Sequence, residues 1–305
     1  MKKFMKAGLL LLLFGLWLIY ILYIGNKKNS QDSEQSEPAL NQSTELLAVM
    51  ENDMAQVNSD SQPSSKDQPD YTKLFPDLYT VFQEPEKMEK GKKVAFLTFD
   101  DGPSENTFKI LDILSEYDVK ATFFIVGHSI SITDEADECL RRMINEGHTI
   151  GLHSNSHQCN KIYRSLDNFL SDYNALYQQI YDITGVRVNI YRMPLGSLNG
   201  YSKRFKDPLI EEMSRRGFTC YDWNVSANDS IGKPTAYSIR HNIEKDLERQ
   251  DYPIILMHDS LHMDLTVKCL PGIIKMIKAK GYEFDTLDHR EPYQFPWDKL
   301  NKKRR

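Results

Sequence analysis

The sequence predicts an α/β fold, a distorted (β/α)7 barrel preceded by one transmembrane helix and a disordered linker. Three observations carry that prediction. Seven short β-rich runs alternate with amphipathic helical segments between residues 71 and 290. The runs are apolar on both faces, as in parallel strands covered by helices. Unusual polar residues follow several different runs directly, and in a parallel barrel such strand ends converge on one mouth. An open doubly wound sheet would gather only the strand ends beside its switch point, and no glycine-rich phosphate loop supports that alternative.

The elements follow in chain order. Residues 1–28, "MKKFMKAGLLLLLFGLWLIYILYIGNKK", hold an uncharged stretch from Ala7 to Gly25, about 28 Å as a helix and so about a bilayer core. Lys2, Lys3 and Lys6 precede the span and acids follow soon after it, so the positive-inside bias puts the N-terminus in the cytoplasm. A cleaved signal peptide is the competing reading, but the run exceeds a typical h-region and "LYIGN" has no A-x-A-like cleavage site. The segment is therefore read as an uncleaved signal anchor of a single-pass cell-membrane protein, with the rest of the chain on the extracytoplasmic side. Residues 29–70 turn to Ser, Gln, Asn, Asp and Glu, with too little apolar surface to offset ordering entropy. They are expected to form a tether reaching on the order of 40 Å.

The folded domain is placed at 71–290. Its expected strands are "VAFLTF" (94–99), "KATFFIV" (120–126), "HTIGL" (148–152), "VNIYR" (188–192), "FTCYDW" (218–223), "IILM" (254–257) and "YEFDTL" (282–287). Helical patterns such as "ENTFKILDILSEY" and "SLDNFLSDYNALYQQIYDITG" lie between them, several ended by glycine. The tail, 291–305, carries Tyr293, Phe295 and Trp297, which either pack back on the barrel or lie exposed, and then a basic end. A net charge of −5 without a basic stripe points away from nucleic acid. The four cysteines are far apart, with no C-x-x-C pair, and read as small hydrophobes.

The chemistry lies in the residues after the strands. "HSNSH" spaces His153 and His157 at i and i+4, one face of a helical turn and a spacing that lets both ligate one metal. Such a set wants a harder third ligand, and the acid pair Asp100–Asp101 supplies one. A divalent cation on one acid separates the roles of two carboxylates that would otherwise repel, leaving the other as a base. The bland alternative makes Asp100 a helix cap and Asp101 a turn residue. Arg192, in "YRMPLGS", would hold a neighbouring carboxylate ionised if buried beside the pair, and its Pro-Leu-Gly turn could aim a backbone N–H at a developing oxyanion. His258, after the sixth run, is placed to act as a general acid. A lone histidine there is more often structural, and its company makes it a candidate.

Taken together, "TFDDGP", "HSNSH", "RMPLG", "DWNVSANDS" and "LMH" resemble the five motifs of the polysaccharide deacetylases, carbohydrate esterase family 4, the NodB homology domain. The resemblance spans about residues 92–288. It implies a distorted barrel and metal-dependent hydrolysis of an acetyl group on a sugar polymer, with zinc first and cobalt or another divalent ion as alternatives. Carried over by position, Asp100 matches the base, Asp101, His153 and His157 the metal ligands, and Arg192 the arginine paired with the base. His258 matches the general acid, and Asp229 the aspartate that tunes it, although Asp222 in the same motif is a rival partner; in the mechanism these residues suggest, the backbone N–H of Leu195 is the expected oxyanion donor. Leu195 and Ser230 stand where the pattern usually has aromatic residues of the sugar groove. The expected substrate is peptidoglycan N-acetylglucosamine. The alternatives are chitooligosaccharide, an exported N-acetylglucosamine polymer, N-acetylmuramic units, an O-acetylated xylan, or a glycan-binding module without activity.

Overall fold

The computed structural model describes residues 70–295, apart from 72, 85, 86, 90 and 204. The expected anchor, the linker up to residue 69 and the end of the tail lie outside the described residues, among which no helix is long and apolar enough to cross a membrane.

Strand β1 (Val94–Asp100), buried along its whole length, is the middle of a parallel sheet. On one side follow β2 (Thr122–Ile125), β3 (Thr149–Leu152), β4 (Ile190–Tyr191) and β5 (Thr219–Cys220). On the other lie β7 (Ile254–His258) and β6 (Val225–Ser226), while β8 (Glu283–Phe284) pairs with the start of β1. Among the described residues eight helices surround the sheet: α1 (Glu105–Tyr117), α2 (Gly127–Ile132), α3 (Ala136–Asn145), α4 (Cys159–Ile162), α5 (Leu166–Thr184), α6 (Lys206–Arg215), α7 (Ala236–Leu247) and α8 (Asp264–Ala279). Their starts obey local chemistry. Ser104 with Thr107 closes a capping box on α1, and Thr235 with Ser238 closes one on α7.

The period-two alternation of β1 sorts its side chains between two cores. Ala95, Leu97 and Phe99 join the large core under the helices, whereas Val94 and Phe96 join a smaller inner core with Phe124, Ile190, Tyr221, Ile254 and Leu287. Continuing the alternation, Thr98 and Asp100 fall on the inner face. The first acid of the pair therefore arrives inside the curl of the sheet.

The expected closed barrel of seven strands is corrected in one place. The run 218–223 does not form one strand: β5 ends at Cys220 and β6 starts at Val225, giving eight strands and no ladder between β5 and β6 among the described residues. The sheet is a curled half-barrel with a seam. Its cause lies in the backbone groups between the two strands, each of which must find a partner. The carbonyls of Tyr221 and Asp222 accept from Nε (3.0 Å) and Nη2 (3.2 Å) of Arg192, and the Asp222 N–H donates to Tyr293 O (2.8 Å). These groups serve an arginine and the C-terminal segment in place of a neighbouring strand.

The segment entering the domain is fixed by Arg216, which is fully buried. Its guanidinium donates to the carbonyls of Tyr71, Leu74, Phe75 and Leu78, and to Glu212 at 2.7 Å.

Candidate active site

The acid pair divides at the end of β1. Asp100 points inward, where its Oδ1 lies 2.7 Å from Nη1 of Arg192. Nη1 also donates to Thr98 Oγ1 (2.9 Å), and the guanidinium lies over Phe124 at 4.1 Å and Trp223 at 5.6 Å. With both partners buried, the ion pair is charge-compensated and its geometry is set by the arginine's fork. The second oxygen, Oδ2, lies 3.7 Å from His153 Nε2. Across the sheet, the parallel register of β1 and β7 sets His258 beside Asp100.

Asp101 turns the other way, with a left-handed φ of 77°. Its Oδ1 lies 3.3 Å from His157 Nε2 and 3.6 Å from His153 Nε2, and is buried without a hydrogen-bond donor. One ligand atom from each of the three residues falls within 4.8 Å of the others. His153 Nδ1 sits 2.9 Å from the Arg192 carbonyl, so it carries the proton and leaves the Nε2 lone pair facing Asp101. Burial lowers the pKa of His153, against the opposing pull of Asp100 and Asp101, and so favours neutral imidazole. A carboxylate and two imidazoles converging on one orphaned oxygen are a donor set that fits a divalent cation.

The two histidines do not share a helical turn, as their spacing suggests. Residues 153–158 form a loop before α4, with left-handed φ at Ser154 (74°) and His157 (54°). The loop is clamped by Asp172 on α5, whose Oδ1 accepts from the Ser154 hydroxyl (2.6 Å) and the Asn155 N–H (2.7 Å) and whose Oδ2 accepts from the Ser156 N–H (3.1 Å). Sequence reasoning passed over Asp172, because a single acid on a long amphipathic helix carries no local signal.

His258 donates from Nδ1 to Asp229 Oδ1 (2.8 Å), while Oδ2 accepts from the His258 N–H (2.8 Å) and the Thr266 hydroxyl (2.7 Å). Burial works against the imidazolium. The hydrogen bond and charge of Asp229, with help from Asp100 and Asp101, outweigh it and raise the pKa to about 9. Asp222 is committed elsewhere: its carboxylate accepts the Ser197 hydroxyl, the Ser197 N–H (2.8 Å) and the Phe295 N–H (2.8 Å). Geometry thus gives Asp229 to His258, and Asp222 to the turn after β4.

Leu195 lies on that turn with φ 66° and a half-exposed side chain. The turn is pinned by Gly196 N–H to Met193 O (2.7 Å), the Asn199 amide to Gly196 O (2.7 Å) and the Tyr163 hydroxyl to Pro194 O (2.9 Å). Left-handed backbone at Asp101, Ser154, His157, Leu195 and Asn228 concentrates strain in the loops of the site. Another unforeseen residue is Asp259, fully buried behind the acid pair. Burial pushes its carboxyl up to about 7, Thr107 donates to its Oδ2 (2.6 Å), and its Oδ1 lacks a partner. It also explains Gly102, where any Cβ would fall 2.2 Å from Asp259 Oδ2.

A curled parallel sheet that gathers two carboxylates and three imidazoles at the carboxyl ends of its strands is the architecture of a (β/α) enzyme. Comparison with known proteins narrows the class. Residues 87–218 match the polysaccharide deacetylase family model. The peptidoglycan-N-acetylglucosamine deacetylase of Bacillus cereus is 32% identical over 216 residues, covering 68% of this chain and 73% of that relative. The peptidoglycan-N-acetylmuramic acid deacetylase PdaA of Bacillus subtilis is 31% identical over 206 residues, 65% of this chain and 71% of that protein. The crystal structure of the catalytic domain of peptidoglycan N-acetylglucosamine deacetylase from Eubacterium rectale superposes with a TM-score of 0.63 at 31% identity, over 69% of this chain and 96% of that one. The chain belongs to the polysaccharide deacetylase family, carbohydrate esterase family 4, and is an enzyme of that class.

Proposed function

We propose that this enzyme is a metal-dependent hydrolase that removes N-acetyl groups from an extracytoplasmic polysaccharide, with peptidoglycan N-acetylglucosamine as its substrate. The observation that carries the reading is the adjacency of the buried Asp100–Arg192 pair and the orphaned Asp101 Oδ1 between two imidazoles. A divalent ion held by Asp101, His153 and His157, zinc in this reading, would acidify a water and polarise the acetyl carbonyl. Asp100, oriented by Arg192, takes the proton of the attacking water. The backbone N–H of Leu195 donates to the oxygen that gains charge at the tetrahedral stage. His258 protonates the departing amine, and Asp229 keeps it charged for that step. Acetate and a free amino sugar result.

Two lines support the substrate. Relatives at about one third identity are named for peptidoglycan deacetylation, and residues 1–28 read as an anchor that would set the domain outside the membrane, near the wall. The test is acetate release from purified peptidoglycan by the purified chain with added zinc, and with chelator as control. Chelator-sensitive release is expected. Release from another acetylated glycan but not from peptidoglycan would overturn the substrate; silence on all of them would overturn the reaction and favour a glycan-binding module.

A further inference from the structure

The seam between β5 and β6 is covered by the last described residues, and these reach the site. The Asp222 N–H donates to Tyr293 O (2.8 Å), and its carboxylate accepts the Phe295 N–H (2.8 Å) together with both donors of Ser197. One buried carboxylate therefore ties the C-terminal segment to the turn that carries Leu195. The Phe295 ring stands edge-on to Trp223, with centroids 5.0 Å apart and planes at 83°. Trp223 in turn lies over the guanidinium that holds Asp100. The two rings meet over Gly196, where a Cβ would fall 2.8 Å from Phe295 and 3.1 Å from Trp223. Only glycine admits the ring there. Both rings keep part of their surface exposed, beside the half-exposed Leu195.

We propose that Phe295, with Trp223, forms the aromatic wall of this enzyme's sugar subsite, packing against the apolar C–H face of an N-acetylhexosamine ring. The inference rests on the reading under Proposed function and supplies the contact that holds the sugar. A pyranose ring offers one face of C–H groups, and an aromatic ring is the side chain that buries such a face with least loss of conformational freedom. A sugar seated on this corner lies against the turn of Leu195 and Gly196, whose Leu195 N–H is the donor proposed for the acetyl oxygen. Asp222 is the positioning residue, fixing Phe295 and the Leu195 turn together.

The test compares the wild-type chain with Phe295→Ala and Phe295→Tyr on an N-acetylglucosamine oligomer and on triacetin, an acetyl ester without a sugar or an aromatic ring. In Phe295→Ala, kcat/KM on the oligomer relative to triacetin is expected to fall about tenfold, chiefly through KM, and Phe295→Tyr is expected to restore it. An equal fall on both substrates, or no fall, would overturn the inference and leave Phe295 a structural strap. Wild-type activity on triacetin with none on any glycan would overturn the proposed function, and this inference with it.

Discussion

Replacing Asp229 with asparagine keeps the shape of the side chain and removes the charge that holds His258 protonated. The pKa of His258 stands at about 9 against an ordinary 6.5, because Asp229 outweighs the burial that works against the cation. The difference amounts to about 3 kcal/mol at ~1.36 kcal/mol per pH unit. Without the charge, burial brings the group back to 6.5 or below. The protonated fraction then falls from about 90% to about 3% at pH 8, roughly 30-fold, but only from about 100% to about three quarters at pH 6. Turnover of Asp229→Asn, measured as acetate release between pH 5.5 and 9.5, should therefore approach wild type at about pH 6 and lose roughly 30-fold at about pH 8. The sign extends to stability. A pKa raised on folding contributes fully below about 6.5 and is lost as pH rises through about 9, so wild-type Tm should fall across that window more than the variant's does. A uniform loss at every pH, with the alkaline limb still near 9, would refute the reasoning and make Asp229 an orienting group only.

Three further outcomes follow from the geometry. Asp100→Asn should keep bound zinc and lose turnover by about 10²–10⁴, whereas His153→Ala should lose both; metal analysis beside acetate release separates them, and retained turnover in the first would remove Asp100 from its role. Asp172→Ala leaves three donors of the His157 loop without their acceptor and should weaken zinc affinity by about 10–100-fold in chelator competition. Arg216→Met strips four carbonyls of their donor and should cost about 3 kcal/mol or more in urea unfolding, by a similar amount with and without added zinc.

The alternation of apolar runs with amphipathic helices made the fold class legible, because a parallel strand buried on both faces has no polar positions to interrupt it. The sequence could not show the seam. "FTCYDW" is composed like a strand, yet the carbonyls of Tyr221 and Asp222 turn to an arginine that precedes them by about 30 residues in the chain. The histidine spacing marked a pair, but the helical turn it suggested is a loop with left-handed residues, held by an acid on α5. Two aspartates in one motif competed for His258, and Asp229 reaches it because β6 and β7 are neighbours in the sheet.

By itself, then, the sequence determined which residue types stand at the strand ends and what chemistry such a set can perform, since strand periodicity and side-chain chemistry are local properties. The tertiary structure decided the partnerships: which carboxylate Arg192 holds, which aspartate charges His258, where the barrel stays open, and which ring of the tail closes over Gly196. Those are contacts between residues about thirty to about a hundred positions apart, and only packing of the sheet brings them together.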